Sequence, residues 1–457
     1  MKTVVPIYVL AVASSQGQEA VLDLTDLYSY SDQEVPAYIQ KDNTPPDNAI
    51  TDIGATLGRV LFYDKRLSRD GTVSCASCHQ QEHGFGDPEV ASSGVAGTTG
   101  RHSMRLVNAR FGNERQFFWD ERAPTLEAQT TQPIQDHVEM GFSGTNGDPA
   151  LADLVDRLEA IELYRVLFTG VYGDPDINED RIQRAMAQFV RSIQSFDSRY
   201  DEGRSQAPND GAPFVNFTAQ ENQGKQLFLA PPGPGGGAGC AACHQPPEFD
   251  ITPNSGHNGV ITSLTGGQDL TVTRAPSLRD MVNDEGDPHG GFMHDASKAT
   301  LLDVVNHYNA IPAITPGLDR RLTTPPGPPG SPPPGPQRLN LSDAEKNALV
   351  AFLETLTGQS VYSDPKWSSP FDEAGNLTTI VLPVDKTVRP GEGSNEVVVS
   401  ATGVPNLTYM LKSSNDLEVW SEGVPVVADA QGRLVYTEEM GAVSRFYILS
   451  YILPVEE

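Results

Sequence analysis

The sequence predicts a mainly α-helical protein, two helical units of similar plan followed by a small all-β sandwich. Three observations predict it. A run of helical period precedes each of two matching pentapeptides, Cys75-Ala76-Ser77-Cys78-His79 and Cys240-Ala241-Ala242-Cys243-His244, and further helical runs follow each. The 457 residues exceed what one domain holds, at about 150 residues per domain. From about Phe371 onward the helical period gives way to short alternating runs broken by Gly, Asn and Pro.

The elements follow in chain order. Met1 and Lys2 precede an apolar run over residues 4–13 and a small polar stretch over 14–18. That is the pattern of a short secretory signal, too short to span a bilayer, with a buried N-terminal strand as the alternative. Residues 1–20 are therefore assigned as a signal peptide, which places the mature protein in the periplasm or outside the cell. Ile53, Leu57, Val60 and Leu61 recur at helical spacing before the first pentapeptide. Residues 180–200 form a long amphipathic segment with Ile182, Met186, Phe189, Val190 and Ile193 on one side, and residues 201–213 read as a polar linker. A second helical unit starts over 218–229, and a Pro/Gly run over 231–239 leads into the second pentapeptide. Helices are expected over 300–309 and over 342–357, the latter opening with Ser342 and Glu345 in capping-box spacing and closing at Gly358. Between them, residues 323–336 are too rich in Pro and Gly for regular structure and read as an exposed loop.

The last segment carries alternating runs at 396–400, 407–411 and 445–451. It contains no Cys or His, so no chemistry is assigned to it. The expected domains are residues 21–205, 206–370 and 371–457.

Charge narrows the function. There are 60 acidic against 32 basic residues, a formal charge of -28. Such a surface repels phosphate backbones and anionic lipid, which argues against nucleic-acid and membrane-surface partners. No other stretch approaches the 18 or so apolar residues that a membrane span requires.

Cysteine is the most informative residue. The chain has four, and the two C-x-x-C-H pentapeptides use all of them. This is the attachment signature of c-type haem: two thiols three positions apart reach the two vinyl groups of one porphyrin, and the adjacent histidine lies under the iron. A four-thiolate zinc site would leave both histidines unexplained. A thioredoxin-like motif would need a βαβ context that the first pair lacks. Two covalently bound c-type haems are expected, on Cys75, Cys78 and His79 and on Cys240, Cys243 and His244.

Several further stretches carry a family resemblance: LGRVLFYDKRLS at 57–68, SCASCH at 74–79, GFGD at 84–87, FFWDERA at 117–123 and PIQDHVEMG at 133–141. RAPSLR at 274–279, His294-Asp295 and AFL at 351–353 complete the set. Over residues 57–358 the chain resembles the bacterial di-haem cytochrome c peroxidase and MauG family. The resemblance implies two cytochrome c-like haem domains, a peroxide-reacting haem first and an electron-accepting haem second. It places the catalytic acid/base glutamate on Glu139, the pocket glutamine on Gln129 and the tryptophan between the haems on Trp119. The bland alternatives are a solvated acidic loop for Glu139 and a core aromatic for Trp119.

The chain also departs from the family pattern. The histidine that ligates the resting peroxide haem in many of the peroxidases falls on Gly94, which has no donor atom, so the resemblance implies an open iron without reductive activation. His83 and His102 are the nearby residues that could overturn this. His102 stands where the family usually places a calcium-ligating asparagine, which argues against a calcium ion here. The second haem's other axial ligand falls on Tyr308, as in MauG, where the peroxidases usually supply methionine. Leu301, Val304, Val305 and Tyr308 share one helical face, which supports this independently. Met293 and His307 are rival ligands, a plain core tyrosine is the alternative, and His294 matches a family histidine outside the ligand set.

The expected activity is that of a cytochrome c peroxidase-type oxidoreductase, reducing hydrogen peroxide to water with electrons from a small donor protein, a cytochrome c or a cupredoxin. The alternatives are a MauG-like di-haem oxidase, which uses high-valent iron to oxidise a protein or organic substrate, and a non-catalytic di-haem electron carrier.

Overall fold

The computed structural model describes residues 20–113, 115–233, 236–324, 333–390, 395–439 and 445–453; for residues 385–390 and 395 it describes the backbone alone. Residues 1–19 of the expected signal peptide and residues 325–332 of the expected Pro/Gly loop lie outside these. The chain forms two compact units.

The larger unit, Asp26–Ser369 with Thr402–Val404, carries both pentapeptides. Ten α-helices occur among the described residues. They are α1 (Asp52–Tyr63), α2 (Cys75–Cys78), α3 (Leu126–Thr130), α4 (Leu151–Ala160), α5 (Glu162–Tyr172), α6 (Glu179–Ser192), α7 (Arg199–Gln206), α8 (Ala219–Leu229), α9 (Leu301–Asn309) and α10 (Asp343–Glu354). None of the helices described is long and apolar enough to cross a membrane.

The expected duplication is visible in packing. In the first half α1 crosses α6, and a Cβ at Gly58 would collide with the Ala185 carbonyl and lie 2.8 Å from Phe189 Cβ. In the second half α8 crosses α10, and a Cβ at Gly224 would collide with the Ala348 carbonyl and lie 2.9 Å from Phe352 Cβ. Only a residue without a side chain lets two helix backbones approach so closely. Each crossing is packed by three rings: Phe62 against Phe85 and Phe189 at 6.1 and 5.1 Å, and Phe228 against Phe249 and Phe352 at 5.7 and 5.3 Å. Two separate hydrophobic cores result, one on each crossing.

Two long-range features depart from the linear reading. The segment after α10 returns to the first core: Trp367 is 1% exposed there, Gln81 donates to the Val361 and Asp364 carbonyls, and the Tyr63 hydroxyl donates to the Trp367 carbonyl at 2.6 Å. The expected linker is also corrected, because residues 199–206 are helix α7. Ser198 caps it through Asp201, whose carboxylate is buried against Arg279 with N–O distances of 2.8 and 2.9 Å. The polarity that reads as a solvated linker satisfies a buried guanidinium instead.

The smaller unit contains residues 20–25, 370–401 and 405–457. Its five-stranded sheet has the order β1 (Val21–Asp23), β6 (Thr379–Leu382), β12 (Phe446–Ile452), β9 (Thr408–Ser414) and β10 (Val424–Val427). A three-stranded sheet has the order β11 (Arg433–Glu439), β8 (Asn395–Thr402), β7 (Asp385–Pro390). β1 runs parallel to β6, Val21 opposite Thr379, so a strand from the chain start completes a sheet whose other strands follow residue 378. Tyr409, Leu411 and Leu449 alternate inward, as period-two patterning requires. The remaining strands, β2 (Ser93–Gly94) with β3 (Gly97–Thr98) and β4 (His244–Gln245) with β5 (Asp250–Ile251), are two-residue pairs in the larger unit.

Candidate functional site

The first pentapeptide is set by local hydrogen bonding. Ser74 opens α2 in a capping box with Ser77, so the single turn carries Cys75 and Cys78, and His79 follows at its end. The loop that follows bends back, Gln80 N–H donating to the Gly86 carbonyl at 2.8 Å and Phe85 adopting φ 57. This turns the Phe85 carbonyl onto His79 Nδ1 at 3.2 Å, which leaves Nε2 as the ligand atom. Burial holds His79 below its ordinary pKa, in the neutral form that binds a metal. The four thiols are all free, and burial pushes Cys75 up to about 12 and Cys78 to about 11.

Glu139 belongs to this half. Asp136 Oδ1 accepts from the Val138 and Glu139 N–H groups at 2.8 and 3.0 Å, forming a tight polar turn. Burial, with Asp136 adding to it and Arg122 opposing, pushes the Glu139 carboxyl up to about 7. Its charge acts on both Cys75 and Cys78, which puts the carboxyl within electrostatic reach of the first attachment site. The β2–β3 hairpin fastens the segment from the other side, Val95 N–H donating to the Glu139 carbonyl at 3.0 Å and Ala96 N–H to the Val138 carbonyl at 3.1 Å. Gly94 lies flush against the same backbone; a Cβ there would collide with the Val138 carbonyl and come within 2.8 Å of the Glu139 Cα.

The other expected residues of this half sort cleanly. Gln129 is partly buried on α3, and no hydrogen bond among the described residues joins its side chain to Glu139. His83 packs edge-on against His289 at 6.0 Å. His102 directs Nδ1 to the Glu89 carbonyl at 2.9 Å.

The second pentapeptide lines a cavity of about 730 Å³. His244 and both its cysteines face into it, and so do Leu301, Val304, Val305 and Tyr308, the helical face expected of α9. Thr300 opens α9 in a capping box with Asp303 and thereby sets the phase of that face. Burial pushes His244 down to about 4, so the imidazole is neutral, and raises Tyr308 well above an ordinary phenol. Its ring faces the Phe249 carbonyl, as His79 faces Phe85, but His244 Nδ1 stops short of a hydrogen bond. Met293 also lines the cavity, whereas His307 is buried on another side of α9 and directs Nε2 to the Asn258 carbonyl at 2.9 Å. Arg105 on the cavity wall has a buried Nε without a partner, a fixed positive group suited to a porphyrin carboxylate.

Trp119 stands between the two halves. Its indole N–H donates to the His102 carbonyl at 2.7 Å, its own carbonyl accepts from Thr273 and Arg274 of the second half, and its ring lies 6.3 Å from His294. It also forms part of the cavity wall. The residues present fit two c-type haems: free thiols in pairs, a neutral histidine beside each pair, and for the second an apolar cavity lined by further donor atoms. Sequence reasoning missed Asn258 and Arg105, which stand in loops without periodicity or motif.

Comparison with known proteins gives the family. Residues 53–207 match the family model described as di-haem cytochrome c peroxidase. The chain is 31% identical over 328 residues to the methylamine utilization protein MauG of Methylophilus methylotrophus, a match covering 69% of this chain and 85% of that protein. It is 30% identical to the cytochrome-c peroxidase IdrP1 of Denitromonas iodatirespirans, over 70% of this chain and 86% of that protein. Among solved structures it resembles a MauG-like protein associated with microbial copper homeostasis, with TM-score 0.56 and 29% identity over 74% of this chain and 99% of that one.

Proposed function

Because the chain belongs to the bacterial di-haem cytochrome c peroxidase and MauG family, we propose that it reduces hydrogen peroxide to water with electrons from a small redox protein. The observation that carries this reading is Glu139, a partly buried carboxyl pushed up to about 7 within electrostatic reach of the first attachment site. Each haem, when attached, would supply an iron that exchanges one electron at a time, the first of them reacting with peroxide.

The protein residues supply the rest. His79 would hold the first iron through Nε2, its ring oriented by the Phe85 carbonyl. Glu139 takes a proton from peroxide at its carboxylate and returns it to the departing oxygen; a pKa near the working pH suits both transfers. Gln129 is proposed to complete that pocket, although no described bond ties it to Glu139. Gly94 leaves the open face without a competing ligand. Trp119 would carry electrons from the second site to the first, and His244 and Tyr308 would hold the second iron. Export to the periplasm or beyond is part of the same proposal, since residues 1–20 carry a signal pattern and c-type haem is attached there.

A second reading, the MauG-like oxidation of a protein or organic substrate, is favoured by Tyr308, a hard anionic ligand that stabilises oxidised iron. Steady-state kinetics of the holoprotein separate the two. Peroxide-dependent oxidation of a reduced small cytochrome c or cupredoxin supports the peroxidase. Its absence, together with peroxide-dependent oxidation of another substrate, supports the oxidase. If neither occurs and Glu139→Gln leaves peroxide reactivity unchanged, the chain is an electron carrier.

A further inference from the structure

The second cavity offers two donor side chains besides His244, the Tyr308 hydroxyl and the Met293 sulfur. One side chain addresses both. Asn258 Nδ2 lies 3.1 Å from Met293 Sδ and 3.4 Å from the Tyr308 hydroxyl oxygen. A primary amide nitrogen carries two hydrogens, so it can serve both acceptors at once.

The amide is itself held in place. Asn258 Oδ1 accepts from Val260 N–H at 3.0 Å, and the Asn258 carbonyl accepts from His307, which stands next to Tyr308 on α9. Met293 is fixed as well. Its backbone has φ 72, a conformation that a long side chain adopts only where the surroundings impose it, and Phe292 beside it is bridged to Lys298.

We propose that Asn258 is the positioning residue that selects the axial ligand of the second haem. One N–H engages the sulfur lone pair that Met293 would otherwise offer to iron. The other orients the Tyr308 oxygen. The choice matters because a neutral, soft thioether favours reduced iron and an anionic, hard phenolate favours oxidised iron. A hydrogen bond from the next layer of residues is a recognised means of tuning such a site. This inference rests on the proposed ligation by Tyr308.

The test is absorption spectroscopy and redox titration of ferric holoprotein carrying Asn258→Leu. The tyrosinate charge-transfer band should give way to the far-red band of methionine-ligated haem, and the potential of the second haem should rise. Asn258→Asp keeps an Oδ1 for Val260 N–H and removes both donors but adds a negative charge, so its readout is the methionine band alone, which should appear even if the leucine variant folds poorly. Met293→Leu alone should keep the parent spectrum, and Asn258→Leu with Met293→Leu should lack the methionine band. Parent spectra in both Asn258 variants, or loss of the second haem from both, would overturn the inference. Tyr308→Phe is the separate check on the ligand: if it keeps the tyrosinate band, the reading of Tyr308 fails whatever Asn258 does.

Discussion

Gly94 lies so close to Val138 that a Cβ on it would strike the Val138 carbonyl oxygen, and the same contact brings it to 2.8 Å from the Glu139 Cα. The position that the family resemblance aligns with a distal histidine is thus, in this chain, the backing of the segment proposed to carry the acid/base glutamate. Gly94→His should not install a ligand. It should push the Val138–Glu139 backbone away and lower peroxide turnover to near the level of Glu139→Gln. Stopped-flow kinetics check this; a six-coordinate, low-spin first haem that gains activity on reduction would contradict it.

Glu139→Gln should lower the rate of reaction with peroxide by about 10²–10⁴-fold while both haems remain attached, the range that general acid–base catalysis supplies. Since peroxide must first give up a proton to the carboxylate, the wild-type second-order rate should rise with pH through about 7 and then level. The variant should lack that step.

The same shift affects stability. The folded carboxyl titrates near 7 against an ordinary 4.5, so burial disfavours the ionised form. The contribution of Glu139 to stability is fully present below about 4.5 and is lost as pH rises through about 7. The Tm of Glu139→Gln relative to wild type should therefore be higher at pH 8 than at pH 4.5, as thermal melts of the holoprotein would show.

Trp119→Phe keeps an aromatic ring but removes the N–H that donates to the His102 carbonyl. Single-turnover mixing with peroxide should show slowed oxidation of the second haem and an unchanged first encounter with peroxide. Equal rates in both proteins would remove Trp119 from the electron route.

The Arg279–Asp201 pair is almost wholly buried, with side chains 0% and 4% exposed. Asp201→Asn should cost about 3–5 kcal/mol by leaving the guanidinium uncompensated. Asp201→Asn combined with Arg279→Met should cost less than the first change alone, which denaturant titration would measure.

Much of this was legible in the sequence because it is local. The pentapeptides, the apolar face of Leu301, Val304, Val305 and Tyr308, and the capping boxes at Thr300 and Ser342 are each carried by residues a few positions apart, where spacing determines geometry. What escaped depends on contacts across the chain. Residues 201–206 look like a linker until Arg279, 78 positions beyond Asp201, turns their polarity inward. Residues 21–23 show no sign of their sheet until β1 meets β6. Asn258 is an ordinary loop residue until folding brings Met293 and Tyr308 to its amide. Gly94 could be read as lacking a ligand, but not as the surface against which Glu139 is set.

The most direct test of the whole account is an EPR spectrum of the ferric holoprotein as isolated. The expected result is one high-spin signal, from the haem on Cys75 and Cys78 with its open face, and one low-spin signal from the haem on Cys240 and Cys243. Two low-spin signals would mean that a protein ligand closes the first iron, and peroxide chemistry at Glu139 would fall with it.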